Sequence, residues 1–256
     1  KGKENKKRFS ERYGIASIER PEGNVVWIHA ASIGEFKSAD LLINLLYKNY
    51  TILVTTTTLS AANFALKNYK HKIIHQFAPL DISLWVEKFL NKWRPKLVIW
   101  IESDLWPITM KLLKQKSIKS LLVNVRMSPQ SFKKWKKIKF FYRQMTECFS
   151  EIFAQSQIDR ERIKILTNRN IKFIGNLKLS SGSNFQKISL DKRLMNFQKG
   201  RTFMLASTHE NEEFQFLPTI KRLLLQVDGL KIIIAPRHPE RSRTIQSIYQ
   251  KSGIST

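Results

Sequence analysis

Leu97-Val98-Ile99-Trp100-Ile101, followed at once by Glu102-Ser103-Asp104-Leu105-Trp106-Pro107, decides the fold. An unbroken apolar run suits a strand buried on both faces, as in a parallel sheet covered by helices on each side. Pro107 then fits the first turn of a helix expected over 106–116, where its missing N–H costs nothing. The same strand–turn–helix unit repeats outward. Upstream, Val25-Val26-Trp27-Ile28-His29 precedes a helix over 35–47, and Thr51-Ile52-Leu53-Val54-Thr55 precedes one over 59–70. A short β-rich stretch, 72–75, leads to a helix over 84–92. Downstream, strands are expected over 120–123, 151–154 and 172–174, with a helix over 157–166. This is βαβ logic, an α/β fold with a mostly parallel sheet.

Composition shifts at 176–200, where Ser180-Ser181-Gly182-Ser183-Asn184 reads as a loop. Alternation then restarts, with strands over 201–206 and 231–235 and helices over 210–226 and 239–252. The expected domains are 1–178, a linker at 179–200, and 201–256. Two βα units make a poor independent sheet, so the second domain reads as incomplete. The chain opens at Lys1 rather than Met, and further sequence upstream is expected.

The 256 residues include 42% hydrophobic and 11% aromatic side chains, which excludes disorder for most of the chain. One cysteine, Cys148, excludes a disulfide scaffold and a cysteine-cluster zinc site, and fits a reducing compartment. No apolar run approaches the roughly 18 residues of a membrane span, and no signal peptide is seen. Lys and Arg number 45 against 20 Asp and Glu, a formal charge of +25. Such a charge points to an anionic partner: nucleic acid, anionic lipid or a phosphorylated substrate. Solvated lysine faces are the bland alternative.

Ligands of such sheets bind where strands end and helices begin. Ser32-Ile33-Gly34-Glu35 follows the first strand. It reads equally as a capping box or as a carboxylate able to act as a general base, beside a glycine that lets substrate approach. Glu102 and Asp104 suit the positive end of a helix, so capping is their simplest role. They do not form an Asp-x-Asp metal motif, and no metal is expected. Arg126, directly after a strand and followed by Ser128 and Ser131, could hold a phosphate or carboxylate, or lie idle at the surface. Ser207-Thr208-His209-Glu210 and Arg237-His238 open helices at the ends of two presumed neighbouring strands, an arrangement suited to a phosphate or, more simply, to helix caps with incidental histidines.

In order along the chain stand Trp27-x-His29-Ala30-x-Ser32-x-Gly34-Glu35, Thr55 to Thr58, Pro79-x-Asp81, Glu102-x-Asp104-x-Trp106-Pro107 and Asn124-x-Arg126-x-Ser128. Gln155-Ser156, Gly175-Asn176-Leu177-Lys178, Ser207-Thr208-His209-Glu210 and Pro236-Arg237-His238-Pro239-Glu240-Arg241 follow. In order and spacing, over about 8–245, this set resembles the 3-deoxy-D-manno-octulosonic acid (Kdo) transferases of lipid A glycosylation. The resemblance implies a GT-B fold of two Rossmann-like domains, the second represented here by its first part. It implies transfer of Kdo from CMP-Kdo to a lipid A precursor at the cytoplasmic face of the cell inner membrane. By position it implies Glu35 as catalytic base and Ser32, Gly34, Arg126 and Lys178 on the acceptor side. Ser207, Thr208, His209, Glu210, Arg237 and His238 would hold the donor, without metal or other cofactor.

Departures from the family pattern are mild at Ala61, Asp104 and Asn211. The family's later Gly-rich and Asn-x-x-Glu segments and its N-terminal hydrophobic anchor have no counterpart. The 256-residue chain by itself is therefore expected to be inactive.

Much of the charge lies in 132–143, Phe-Lys-Lys-Trp-Lys-Lys-Ile-Lys-Phe-Phe-Tyr-Arg. On one helix, Trp135, Ile138, Tyr142, Met145 and Phe149 form an apolar stripe flanked by lysines. That helix could lie on an anionic membrane, or the stripe could be ordinary core. The rival functions are a nucleic-acid-binding protein, against which the lack of a known binding module weighs, and a GT-B enzyme using another nucleotide sugar.

Overall fold

A computed structural model describes residues 5–102, 104–180 and 200–256. The chain divides into two compact units, Lys1–Asn184 and Phe185–Thr256. The Gly182 loop signal lies outside the described residues.

In the first unit, β1 (Val25–His29), β2 (Thr51–Thr56), β3 (Ile74–Phe77), β4 (Leu97–Ile101), β5 (Ser120–Val125), β6 (Phe149–Ala154) and β7 (Lys172–Phe173) form one sheet. Its order is β3-β2-β1-β4-β5-β6-β7, and every neighbouring pair is parallel. The helices are α1 (Ile33–Leu46), α2 (Leu59–Tyr69), α3 (Ser83–Trp93), α4 (Pro107–Gln115), α5 (Pro129–Lys137), α6 (Lys139–Thr146), α7 (Gln157–Thr167) and α8 (Leu177–Ser180).

Strand alternation explains the continuous apolar runs. Val25, Trp27, Val98 and Trp100 face one core with side chains of α3, α4, α6 and α7. Val26, Ile28, Ile99 and Ile101 face another with Phe36, Ala39 and Ile43 of α1 and Leu177 of α8. Local hydroxyls start the helices: Ser32, Thr58, Ser128 and Ser156 each accept from a backbone N–H three residues on. The crossover order leaves a switch point between β1 and β4, where successive helices depart to opposite faces and a crevice opens at the strands' carboxyl ends.

Three expectations in this unit need correction. The strand expected over 72–75 runs over Ile74–Phe77. Glu102 and Asp104 do not cap α4. Its N-cap is Trp106, without a side-chain bond, and Asp81 supplies the cap, accepting from Ile108 N (2.9 Å) and Thr109 N (2.7 Å). The basic segment is two helices, broken at Ile138 (φ −123°, ψ 41°). Tyr142, Met145 and Phe149 of the apolar stripe are buried core, with Trp135 packed against them. What α5 and α6 show to solvent is Ile138, Phe141 and, at 80% exposure, Phe140.

Lys6–Tyr13, whose role carries no local sequence signal, forms two 3-10 turns that latch onto β3. Buried Glu11 accepts from Phe77 N and pairs with Arg8, which also bonds the His75 carbonyl. Arg12 donates to the carbonyls of Ala78 and Thr57.

In the second unit, β8 (Thr202–Thr208) and β9 (Lys231–Pro236) pair in parallel. With α9 (Glu212–Gln226) and α10 (Ser242–Lys251) they bury Leu205, Leu217, Ile220, Ile245 and Tyr249. A 3-10 turn, Pro239–Arg241, precedes α10 and replaces the start of the helix expected from 239.

Candidate active site

Glu35 sits in the first turn of α1, at the β1 side of the switch point. Its backbone N–H donates to Ser32 Oγ (3.3 Å), the N-cap half of the expected box. Its carboxylate accepts from Ala31 N (2.7 Å) and Ser32 Oγ (3.0 Å). Burial raises the Glu35 carboxyl above the ordinary carboxylate value, the Ala31 and Ser32 bonds oppose the rise, and the charges of Glu102 and Asp104 add to it. A carboxylate so placed is a stronger base than a solvated one, and two fixed donors aim it.

Glu102 comes from the β4 side of the same switch point. Its φ of +65° is left-handed, an uncommon conformation outside glycine that clusters at functional sites. Lys178 of α8 reaches it, with Nζ 2.6 Å from Glu102 Oε1. The same ammonium lies over the start of α1, 3.8 Å from where a Cβ on Gly34 would stand. Ser32, Gly34, Glu35 and Lys178 therefore come together, and Glu102 joins them. Spacing could not reveal Glu102, because a carboxylate ahead of a helix reads as a cap.

Arg126 is exposed at the end of β5, one strand beyond β4. Its neighbour Met127 is clamped by α7, with Met127 N donating to Asp159 Oδ1 (2.7 Å) and Met127 O accepting from Arg162 (2.7 Å). Ser156 is the N-cap of α7 and donates to Asp159, so the Gln155-Ser156 signal serves this clamp.

The threonine run is used for construction. Thr55 Oγ1 meets Trp27 Nε1 (2.8 Å) and His29 Nδ1 (2.9 Å). Thr56 Oγ1 meets His75 Nε2, and Thr57 Oγ1 donates to Ala31 O. Burial pushes the pKa of both histidines down to about 3, His75 with help from Arg8 and Arg12, so both are neutral.

In the second unit, parallel pairing sets the ends of β8 and β9 side by side, and Arg237 N donates to Thr208 O (3.0 Å). Ser207 is left-handed at φ +58°. Ser207, His209, Glu210, Arg237 and His238 are exposed around this end. Thr208 is turned inward, its hydroxyl donating to buried Glu213 (2.6 Å). Arg241 pairs with both oxygens of Glu213 (3.0 and 2.8 Å), fastening the two loops together. Glu213 and Arg241 were not foreseen as a pair, for 28 residues separate them. Among the described residues no group of three or more His, Cys, Asp or Glu could hold a metal ion, and no helix is long and apolar enough to cross a membrane.

Solved structures share the fold at low identity. A UDP-N-acetylglucosamine 2-epimerase matches with a TM-score of 0.63 at 10% identity, over 93% of this chain and 67% of that one. The enzyme from Neisseria meningitidis bound to UDP-GlcNAc gives 0.62 at 12% identity, over 91% and 70%. These likenesses support the α/β fold of GT-B type, read from the sequence, and no more than the fold. The 3-deoxy-D-manno-octulosonic acid transferase of Rickettsia bellii is 38% identical, over 95% of this chain and 59% of its own length. That of Haemophilus influenzae is 30% identical, over 96% and 60%. The chain thus spans about 60% of the length of these relatives. The family model for 3-deoxy-D-manno-octulosonic-acid transferase (kdotransferase) matches residues 7–181, the whole sheet that carries Glu35 and Lys178, and the chain belongs to that family.

Proposed function

We propose that this sequence serves a glycosyltransferase that moves Kdo from CMP-Kdo to a lipid A precursor in lipopolysaccharide biosynthesis, at the cytoplasmic face of the inner membrane. The observation that carries the reading is Glu35: a half-buried carboxylate at the switch point, held by two donors and raised in proton affinity. In one displacement, Glu35 takes the proton of an acceptor hydroxyl as its oxygen bonds to the anomeric carbon of Kdo. The bond from that carbon to the phosphate oxygen breaks, and CMP leaves with the electron pair. Ser32, Gly34, Arg126 and Lys178 border the acceptor. Ser207, His209 and Glu210 after β8 and Arg237 and His238 after β9, on two loops joined through Thr208, Glu213 and Arg241, hold the donor. Cationic groups and helix N–H groups can stabilise the departing phosphate without a metal.

Residues 1–178 act as the acceptor-side domain, 179–200 as linker, and 201–256 as part of the donor-side domain. An anionic membrane surface is met by the basic α5–α6 elbow. Between Ser128 and Thr146 the segment has Lys133, Lys134, Lys136, Lys137, Lys139 and Arg143 and no acidic residue.

The test is E35Q in a protein that carries this sequence at its relatives' full length. Transfer from CMP-Kdo should fall by roughly 100-fold or more, the usual contribution of a general base, with the thermal transition retained. Turnover within a fewfold of wild type would remove Glu35 as the base.

A further inference from the structure

Lys178 belongs to a helix too short to place it. Helix α8 has four residues, Leu177–Ser180, and a single turn does not hold itself together in water. Two side chains take its first backbone donors. Asn176 Oδ1 accepts from Lys178 N (3.0 Å), and Asn124 Oδ1 accepts from Leu177 N (3.0 Å). The first bond is local and moves with the turn. The second ties the turn to β5.

Asn124 is fully buried and sits at φ +58°. It falls where the β5–β6 ladder shifts register, between Leu122 and Val125. Left-handed backbone is tolerated by asparagine and glycine better than by other residues. Glycine would meet that demand alone, but the amide is used at both ends. Its Nδ2 donates to Ser38 Oγ (3.2 Å) on α1, one turn beyond Gly34, whose carbonyl lies 3.5 Å from the same hydroxyl. One amide therefore spans from the helix that carries Glu35 to the turn that carries Lys178. Leu177 is sunk in the core on the α1 face and completes the attachment.

We infer that Asn124 is a positioning residue: it holds Lys178, and with it the Lys178–Glu102 ion pair, beside Glu35. The charged groups at this edge are Glu102 and Asp104 after β4, Arg126 after β5 and Lys178 in α8. With Lys178 docked, its ammonium offsets part of the Glu102 charge, which still raises Glu35. Once α8 comes free, Glu102 acts on Glu35 as a bare neighbouring anion and favours the protonated acid. The role assigned to Asn124 rests on Glu35 being the base of the proposed transfer, but its effect on Glu35 can be read without turnover.

The experiment is a 13C NMR titration of the Glu35 carboxyl in this chain for wild type, N124G, K178M and the double variant. N124G keeps the backbone conformation and deletes both bonds. The Glu35 midpoint should rise in N124G and in K178M by roughly half a pH unit, a value reduced because Lys178 is partly exposed. The double variant should rise no further than K178M. A midpoint that stays put in N124G but moves in K178M would make Asn124 a mere packing residue. A midpoint unmoved in both would remove the coupling altogether. If N124G does not fold, S38A, which cuts only the α1 end of the bridge, is titrated instead. It should give a smaller rise, and no rise overturns the assignment. In the full-length enzyme the acid limb of kcat/KM should move as the NMR midpoint does. A matching NMR result without such movement would fault the choice of Glu35 as base while leaving the role of Asn124 intact.

Discussion

Gly34→Ala separates what the fold needs from what the reaction needs. Gly34 lies within the first turn of α1, outside the left-handed region, and is exposed. A methyl there would stand 3.7 Å from Ser32 Oγ and 3.8 Å from Lys178 Nζ, ordinary contact distances. Nothing in the protein therefore requires glycine. Alanine is a better helix former by about 0.5–1 kcal/mol, less in the first turn. For a protein of this size that corresponds to a thermal transition higher by about 1–4 °C. The methyl would stand on the open side of the turn that presents Glu35, where the acceptor hydroxyl must approach. Crowding a fitted site costs roughly 1–3 kcal/mol, or about 5- to 150-fold in kcat/KM. The expected G34A enzyme is slightly more stable and much slower. Calorimetry and a CMP-Kdo transfer assay on the same preparation test both halves. Transfer within twofold of wild type would show that substrate does not pass over Gly34, and a lowered transition would show that the fold does need the glycine.

Two further outcomes follow from buried and exposed groups elsewhere. His29 and His75 are neutral in the fold, with pKa values near 3 against the ordinary 6.5. Below that ordinary value the unfolded chain binds two protons that the fold refuses, so stability should fall with falling pH by about 1.4 kcal/mol per unit per histidine. Urea titrations between pH 7 and 5 should show that slope, reduced in H75Q. At the α5–α6 elbow, replacing Lys133, Lys134, Lys136 and Lys137 by Gln should weaken partition onto phosphatidylserine vesicles by up to about 1 kcal/mol per lysine. F140S should weaken it further, and unchanged partition in both would exclude this surface.

Periodicity and spacing revealed what local physics determines. The parallel sheet was legible because burial on both faces favours unbroken apolar runs such as Leu97–Ile101 and Val25–Ile28. Glu35 was legible because a cap and a strand end coincide there. Asp81 was not legible as the cap of α4, since it reaches Thr109 across 28 residues. Of the stripe expected on one helix, Trp135, Tyr142, Met145 and Phe149 do meet in one core, but from two helices and a strand, and Ile138 is exposed; periodicity says nothing about whether core or lipid covers an apolar face. The break at Ile138 has neither glycine nor proline to announce it. The left-handed backbone of Asn124 is marked in the sequence only by a residue type that tolerates it, and that of Glu102 by nothing at all; these two residues complete the environment of Glu35.

That environment balances two demands on a base. Glu35 must be ionised to accept a proton and must still bind that proton well, since a base of very low proton affinity gives little help. Burial and the carboxylates of Glu102 and Asp104 raise its affinity. Were Lys178 paired directly with Glu35, its charge would act the other way. The 2.6 Å contact with Glu102 places the cation on the neighbour, so the base keeps its affinity without facing an uncompensated anion. E102Q tests this division of labour. It removes one anion and frees Lys178 to approach Glu35, and both changes favour the ionised form. The acid limb of kcat/KM should therefore shift to lower pH, opposite to the shift expected for K178M. The plateau rate at high pH should fall, because the weakened base takes the proton less readily. E102Q and K178M shifting in the same direction, or an E102Q plateau equal to wild type, would mean that Glu102 orients substrate rather than tuning Glu35.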